Sequence, residues 1–145
     1  PYHAQLKALL ERARAWFGVA VLLDCHSMPS NAADVTGLDI VLGDRYGASA
    51  APAVIEVLEA SLKGAGYRVR RNKPFAGGFI TEHFGAPAAG AHAVQIEIAR
   101  SLYLDERRIV RTEKWSGLRE DLFAAAKALM QEFGGETDAG QLAAE

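Results

Sequence analysis

The run VAVLLD at residues 19–24 limits the fold of this chain more than any other stretch. It is continuously apolar, begins after Gly18 and stops at the polar cluster Asp24, Cys25, His26 and Ser27. A run of this length without alternation suits a strand buried on both faces, as in a parallel sheet covered by helices. The flanking periodicities agree. Leu6, Leu9, Leu10, Ala13, Trp16 and Phe17 recur at helical spacing and predict a helix over 3–17, closed by Gly18. Ala51, Val54, Ile55, Leu58 and Leu62 predict a second helix ending near Gly64 and Gly66, and Leu118, Leu122, Ala126, Leu129 and Phe133 outline a terminal one.

Between these lie DIVLGD (39–44), YRVRR (67–71) and AVQIEIA (93–99), each reading as a strand. Strands at 19–24, 39–43, 67–71 and 93–99 are expected to share one sheet, with helices on its faces, giving an α/β layered domain. Residues 72–91 contain six Gly or Pro positions (Pro74, Gly77, Gly78, Gly85, Pro87, Gly90) and read as a long irregular loop. At 145 residues the chain suits one domain, taken here as 1–133, followed by a small polar tail at 134–145.

Composition excludes several functions. A formal charge of −2 with both signs interspersed offers no footprint for nucleic acid or an anionic membrane. No apolar stretch approaches the roughly 20 residues of a membrane span. One cysteine makes no internal disulfide, which fits a reducing, cytoplasmic setting and leaves a redox role for Cys25 without a resolving thiol.

Four segments carry the candidate chemistry. In DCHS, strand geometry puts Asp24 and His26 on one side and Cys25 on the other, so Cys25 does not have His26 as its base. Asp24 is placed to orient His26 as a metal ligand, while the plainer alternative is a polar loop with a hydrogen-bonded histidine. Cys25 reads as a small buried apolar residue. In AVQIEIA, Val94, Ile96 and Ile98 share one face and Gln95 and Glu97 the other. By pattern alone that second face is solvent-exposed; in a central strand, Glu97 would need a partner, a metal-bound water, or a raised pKa, the last suited to a general base. In NKPFAGGFITEHFG (72–85), Asn72, Thr81 and His83 offer hydrogen bonds to a small substrate, the plainer alternative being a surface loop that needs turns, and no phosphate-loop pattern is present. Arg45 in DIVLGDRYG suits either a substrate carboxylate or a solvated turn.

LLDCHSMPS, DIVLGDRYG, NKPFAGGFITEHFG and HAVQIEIARSLYLDE, in this order, resemble the N-formylglutamate amidohydrolase family. The resemblance implies a three-layer α/β/α fold with a mixed, mostly parallel sheet, similar to zinc carboxypeptidases. It implies hydrolysis of N-formyl-L-glutamate to formate and L-glutamate in histidine degradation. Carried over by position, His26 resembles a zinc ligand, with Asp24 supporting it, and Glu97 the general base. Arg45, Asn72 and His83 become candidates for holding the substrate carboxylates or the developing oxyanion. The family begins with a longer N-terminal segment expected to hold the other metal ligands, so this chain resembles its C-terminal portion. With His26 as its one strong ligand candidate, the chain is expected to bind zinc weakly on its own and to self-associate through uncovered sheet edge and apolar surface. The expected partner is a small N-acyl amino acid. The alternatives are another N-acyl amino acid or small peptide as substrate, or a non-catalytic binding domain on the same fold.

Overall fold

The computed structural model describes residues 1–31 and 36–134. Most of the expected tail, 135–145, lies outside the described residues. The elements run α1 (Tyr2–Phe17), β1 (Ala20–Met28), β2 (Ile40–Gly43), α2 (Pro52–Gly64), β3 (Val69–Arg71), α3 (Phe79–Phe84), β4 (Ala91–Ala99), β5 (Leu104–Asp105), β6 (Val110–Arg111) and α4 (Trp115–Phe133). Single 3₁₀ turns occupy Pro87–Ala89 and Arg100–Leu102.

All four expected strands join one sheet in the order β1-β4-β2-β3. β1 runs parallel to β4 and β2 parallel to β3, while β2 and β4 are antiparallel. The fold is therefore α/β, with a mixed and mostly parallel sheet. β4 is central and buried at all nine positions.

One face of the sheet makes the main core. Ile40 and Leu42 from β2 and Val94, Ile96 and Ile98 from β4 pack against Val54, Ile55, Leu58 and Leu62 of α2 and Leu118, Ala125 and Leu129 of α4. Each fully buried aliphatic side chain here stabilises the fold by about 1.5–3 kcal/mol. Polar ties fix the helices in place. Tyr67 donates its hydroxyl hydrogen to Asp121 Oδ2 at 2.6 Å, anchoring α4 near the start of β3. Glu59 of α2 takes Arg71 and Lys63 as cationic partners. Desolvation pushes the Glu59 carboxyl up, but those two partners outweigh it and leave its pKa lowered.

The start of α2 has an unusual support. Pro52 fits the first helical turn, where no N–H is needed. The preceding Ala51 donates its N–H to Nδ1 of the buried His92 at 3.2 Å. Burial lowers the His92 pKa, and protonation of Nδ1 would remove the acceptor. Because the folded value lies below the unfolded one, the unfolded chain binds more protons as pH falls below about 6.5. This contribution to stability is complete above that pH and is lost on acidification through the folded pKa. His92→Gln should therefore flatten the fall in stability between pH 7 and 5, by at most about 1.4 kcal/mol per pH unit. Melts with the same pH slope in both proteins would remove His92 from this role.

Several expectations are corrected. β1 continues through Asp24, Cys25, His26 and Ser27 to Met28, because β4 offers a pairing partner along its whole length. It is also only partly buried, with Cys25, His26 and Ser27 exposed. Cys25 is thus not a buried apolar residue. It lies past the part of β1 where Val21 and Leu23 pack on the main core. The stretch 72–91 is less irregular than its glycines imply, since it contains α3 and a 3₁₀ turn. α1 forms as expected and ends at Gly18, whose N–H still bonds Arg14 O and whose φ of 73° turns the chain out of the helix. None of its residues is fully buried, and Leu9, Trp16 and Phe17 stay exposed.

Candidate functional site

The second face of the sheet carries the polar cluster. In the parallel β1–β4 register, His26 stands opposite Glu97 and Asp24 opposite Gln95. Side chains two apart on a strand share a face, so all four project together. β2 flanks them on the other side, with Val41 opposite Glu97 and Gly43 opposite Gln95. The segment preceding α3 closes over this face. Arg45 donates its N–H to Ala76 O at 2.7 Å, and Phe75 packs with Met28, Val41 and Ala99. Gly78 comes so near that a Cβ there would sit 3.3 Å from Gln95 Oε1.

Within the cluster, His26 Nε2 and Asp24 Oδ2 are 2.9 Å apart. That bond assigns the proton to Nε2 and leaves the Nδ1 lone pair available. Nδ1 faces Glu97 Oε1 at 3.7 Å. Gln95 Nε2 donates to the same Oε1 at 2.8 Å. Glu97 is only 8% exposed and Gln95 5%, so these two side chains are not solvent-exposed as alternation implied, although His26 beside them is. Desolvation is the largest influence on its carboxyl and raises the pKa, the Asp24 charge adds to this, and His26 and the Gln95 bond pull the other way. A carboxylate raised toward neutrality is a better proton acceptor for water than an ordinary surface one.

The remaining candidates are distributed differently. Asn72, at a φ of 60°, is buried, and both ends of its side-chain amide are hydrogen-bonded. Its Oδ1 accepts from Asp44 N at 3.1 Å and Tyr46 N at 3.3 Å, and its Nδ2 donates to Asp44 Oδ1 at 2.6 Å. Asn72 therefore holds the turn that presents Arg45. Arg45 projects from that turn with a φ of 53° and makes one ion pair, Nη2 to Glu82 Oε1 at 3.3 Å. Glu82 is well exposed, and such a pair contributes little, roughly 0–1 kcal/mol. His83 sits in α3 and stacks on Phe79 at 5.1 Å between ring centroids, with His3 from α1 nearby at 6.2 Å. The structure thus brings Asp24, His26 and Glu97 together on β1 and β4, places Arg45 on the turn after β2, tied to the segment before α3, and puts His83 in a separate aromatic stack. Thr81 is turned inward, its hydroxyl donating to Gly78 O at 2.8 Å. Cys25 points to the opposite face from His26, and desolvation first, then the Asp24 charge, pushes its thiol up.

Gln95 was not singled out from sequence. A signal was available: a glutamine beside a glutamate two positions on, in a strand apolar on every other position, needs a partner if the strand is central.

Among the described residues, no group of three His, Cys, Asp or Glu side chains is arranged to hold a metal ion. His26 Nδ1 has the character of a single ligand, oriented by a carboxylate on its other nitrogen. No helix among the described residues is long and apolar enough to cross a membrane.

Fold and site together define an α/β protein whose sheet carries a carboxylate–imidazole–carboxylate cluster on one face. The family model for N-formylglutamate amidohydrolase matches residues 1–104, and the chain belongs to that family. The N-formylglutamate deformylase of Pseudomonas aeruginosa is 39% identical over 136 residues, which is 91% of this chain and 49% of that protein. The deformylase of Pseudomonas putida is 38% identical, with the same coverage of both chains. The crystal structure of N-formylglutamate amidohydrolase from Ralstonia eutropha JMP134 matches with a TM-score of 0.86 at 34% identity, covering 94% of this chain and 51% of that one. The chain thus spans about half the length of these relatives.

Proposed function

We propose that this chain supplies part of the active site of a hydrolase that cleaves the amide bond of N-formyl-L-glutamate, yielding formate and L-glutamate. The observation that carries the reading is the pairing of His26 and Glu97 in register on adjacent parallel strands, on one face, with Glu97 buried. Family membership and the named deformylase relatives support the substrate.

In this reading His26 Nδ1 is one ligand of a catalytic zinc, and Asp24 fixes the imidazole from Nε2. A catalytic zinc takes three protein ligands; the others would come from the part of the relatives' length that this chain does not span. Zinc, when bound, supplies polarisation of the formyl carbonyl and a more acidic water. Glu97 takes a proton from the attacking water and passes it to the leaving amine nitrogen. Arg45 offers its guanidinium to a substrate carboxylate, exchanging the weak, exposed Glu82 pair for a charge-assisted one. Asn72 serves that step by fixing the Arg45 turn, and His83 is a candidate at the rim. The setting proposed is cytoplasmic histidine degradation, where the product is an ordinary amino acid.

The reading is tested with the full-length protein and N-formyl-L-glutamate, following formate and glutamate together. We expect the two products in equal amounts. Release of neither would sink the substrate, and turnover of other N-acyl amino acids instead would move the specificity elsewhere.

A further inference from the structure

The two oxygens of Glu97 are held unequally. Oε1 accepts the Gln95 Nε2 hydrogen bond at 2.8 Å and is the oxygen facing His26 Nδ1 at 3.7 Å. Oε2 has no hydrogen-bond or ion-pair partner among the described residues. Gln95 is itself constrained. It is buried in the central strand, flanked in register by Asp24 and Gly43, and overlain by the backbone at Gly78. The final side-chain torsion of a glutamate is broad and roughly two-fold, so an unanchored carboxylate samples many orientations. One donor on one oxygen removes most of that freedom.

We propose that Gln95 is a positioning residue that pins Oε1 of Glu97, making Oε2 the oxygen that takes the proton from water. The inference rests on the reading of Glu97 as general base. In the step it describes, the water oxygen bonds to the formyl carbon while one O–H bond breaks and its proton goes to Oε2. The same oxygen then returns the proton to the amide nitrogen as the C–N bond breaks, releasing formic acid and the free amine; the acid's remaining proton passes to the amine, giving formate and the ammonium.

Misplacement of a reacting group by about 1 Å can cost on the order of 100-fold in rate. In the full-length protein, Gln95→Met, similar in length but without a donor, should lower kcat for N-formyl-L-glutamate about 10- to 100-fold and leave KM within about threefold. Gln95→Asn keeps the buried amide but draws it back by one methylene, and should show the same split; it decides the matter if the methionine variant does not fold. A double-mutant cycle with Glu97→Gln separates the two claims. If Gln95 acts through Glu97, the Gln95 change has no further effect once Glu97 is Gln. Should Glu97→Gln abolish turnover while both Gln95 variants keep normal kcat, the positioning role alone falls. Equal losses from the Gln95 change in both backgrounds would also overturn it. Near-normal turnover by Glu97→Gln would overturn the base and its positioning together.

Discussion

Glu97→Gln in the full-length protein is expected to lower formate release from N-formyl-L-glutamate by about 10²- to 10⁴-fold, the usual contribution of a positioned general base. The amide is isosteric with the carboxylate but does not accept a proton from water at neutral pH. Metal content should be unchanged, because the candidate ligand is His26. Folding should survive as well. The Glu97 pKa is raised by burial, so the ionised form is disfavoured in the folded chain, and its stability contribution is lost as pH rises through the folded value. A neutral side chain at 97 avoids that loss, and the variant should melt no lower than the parent at pH 7 to 8. Turnover close to that of the parent would remove Glu97 from the base role.

Gly43→Ala is expected to destabilise the fold by about 1–3 kcal/mol, the cost of overpacking a filled space. A Cβ at Gly43 would lie 2.7 Å from the Ala76 carbonyl carbon and 2.8 Å from Gly77 N. These are backbone atoms, so the segment as a whole must move. Moving it stretches the Arg45–Ala76 hydrogen bond of 2.7 Å and lifts Gly78 from Gln95. The damage therefore reaches the site, and kcat in the full-length protein should fall with stability. Gly64→Ala is the control, since a Cβ there meets nothing within 4 Å at the end of α2. It should be neutral or slightly stabilising. Thermal melts that place the two variants together would show that the segment yields freely.

Both effects depend on contacts that the sequence discloses unevenly. The sheet was legible because three of its strands are apolar runs punctuated by glycine and polar clusters and YRVRR alternates, and α2 and α4 because their leucines keep helical spacing over several turns. α3 was hidden by its length of six residues and by glycines at both ends, leaving no periodicity to read. β1 looked finished at Asp24 since polarity rises there, yet backbone pairing to β4 carries it to Met28. Local sequence does not register a partner strand seventy residues away.

The site divides along the same line. Asp24 and His26 were placed on one side by the two-residue repeat of a strand, and they share it. Glu97 was readable as a carboxylate in an apolar strand, but alternation favoured exposure. The segment around Phe75 and Gly78 covers the neighbouring Val41 and Gln95 on that face, and its approach depends on Gly43 lacking a side chain. Asn72 looked like a free hydrogen-bonding group because nothing in its neighbourhood reveals the turn at 44–46 that consumes it.

The role proposed for the His26–Glu97 pair is tested most directly by anomalous X-ray scattering at the zinc edge from crystals of the full-length protein. We expect a zinc peak bonded to His26 Nδ1, on the sheet face that carries Glu97, with the Asp24 contact to Nε2 retained. Zinc bound elsewhere, with His26 Nδ1 left without it, would contradict this cluster as the hydrolytic centre.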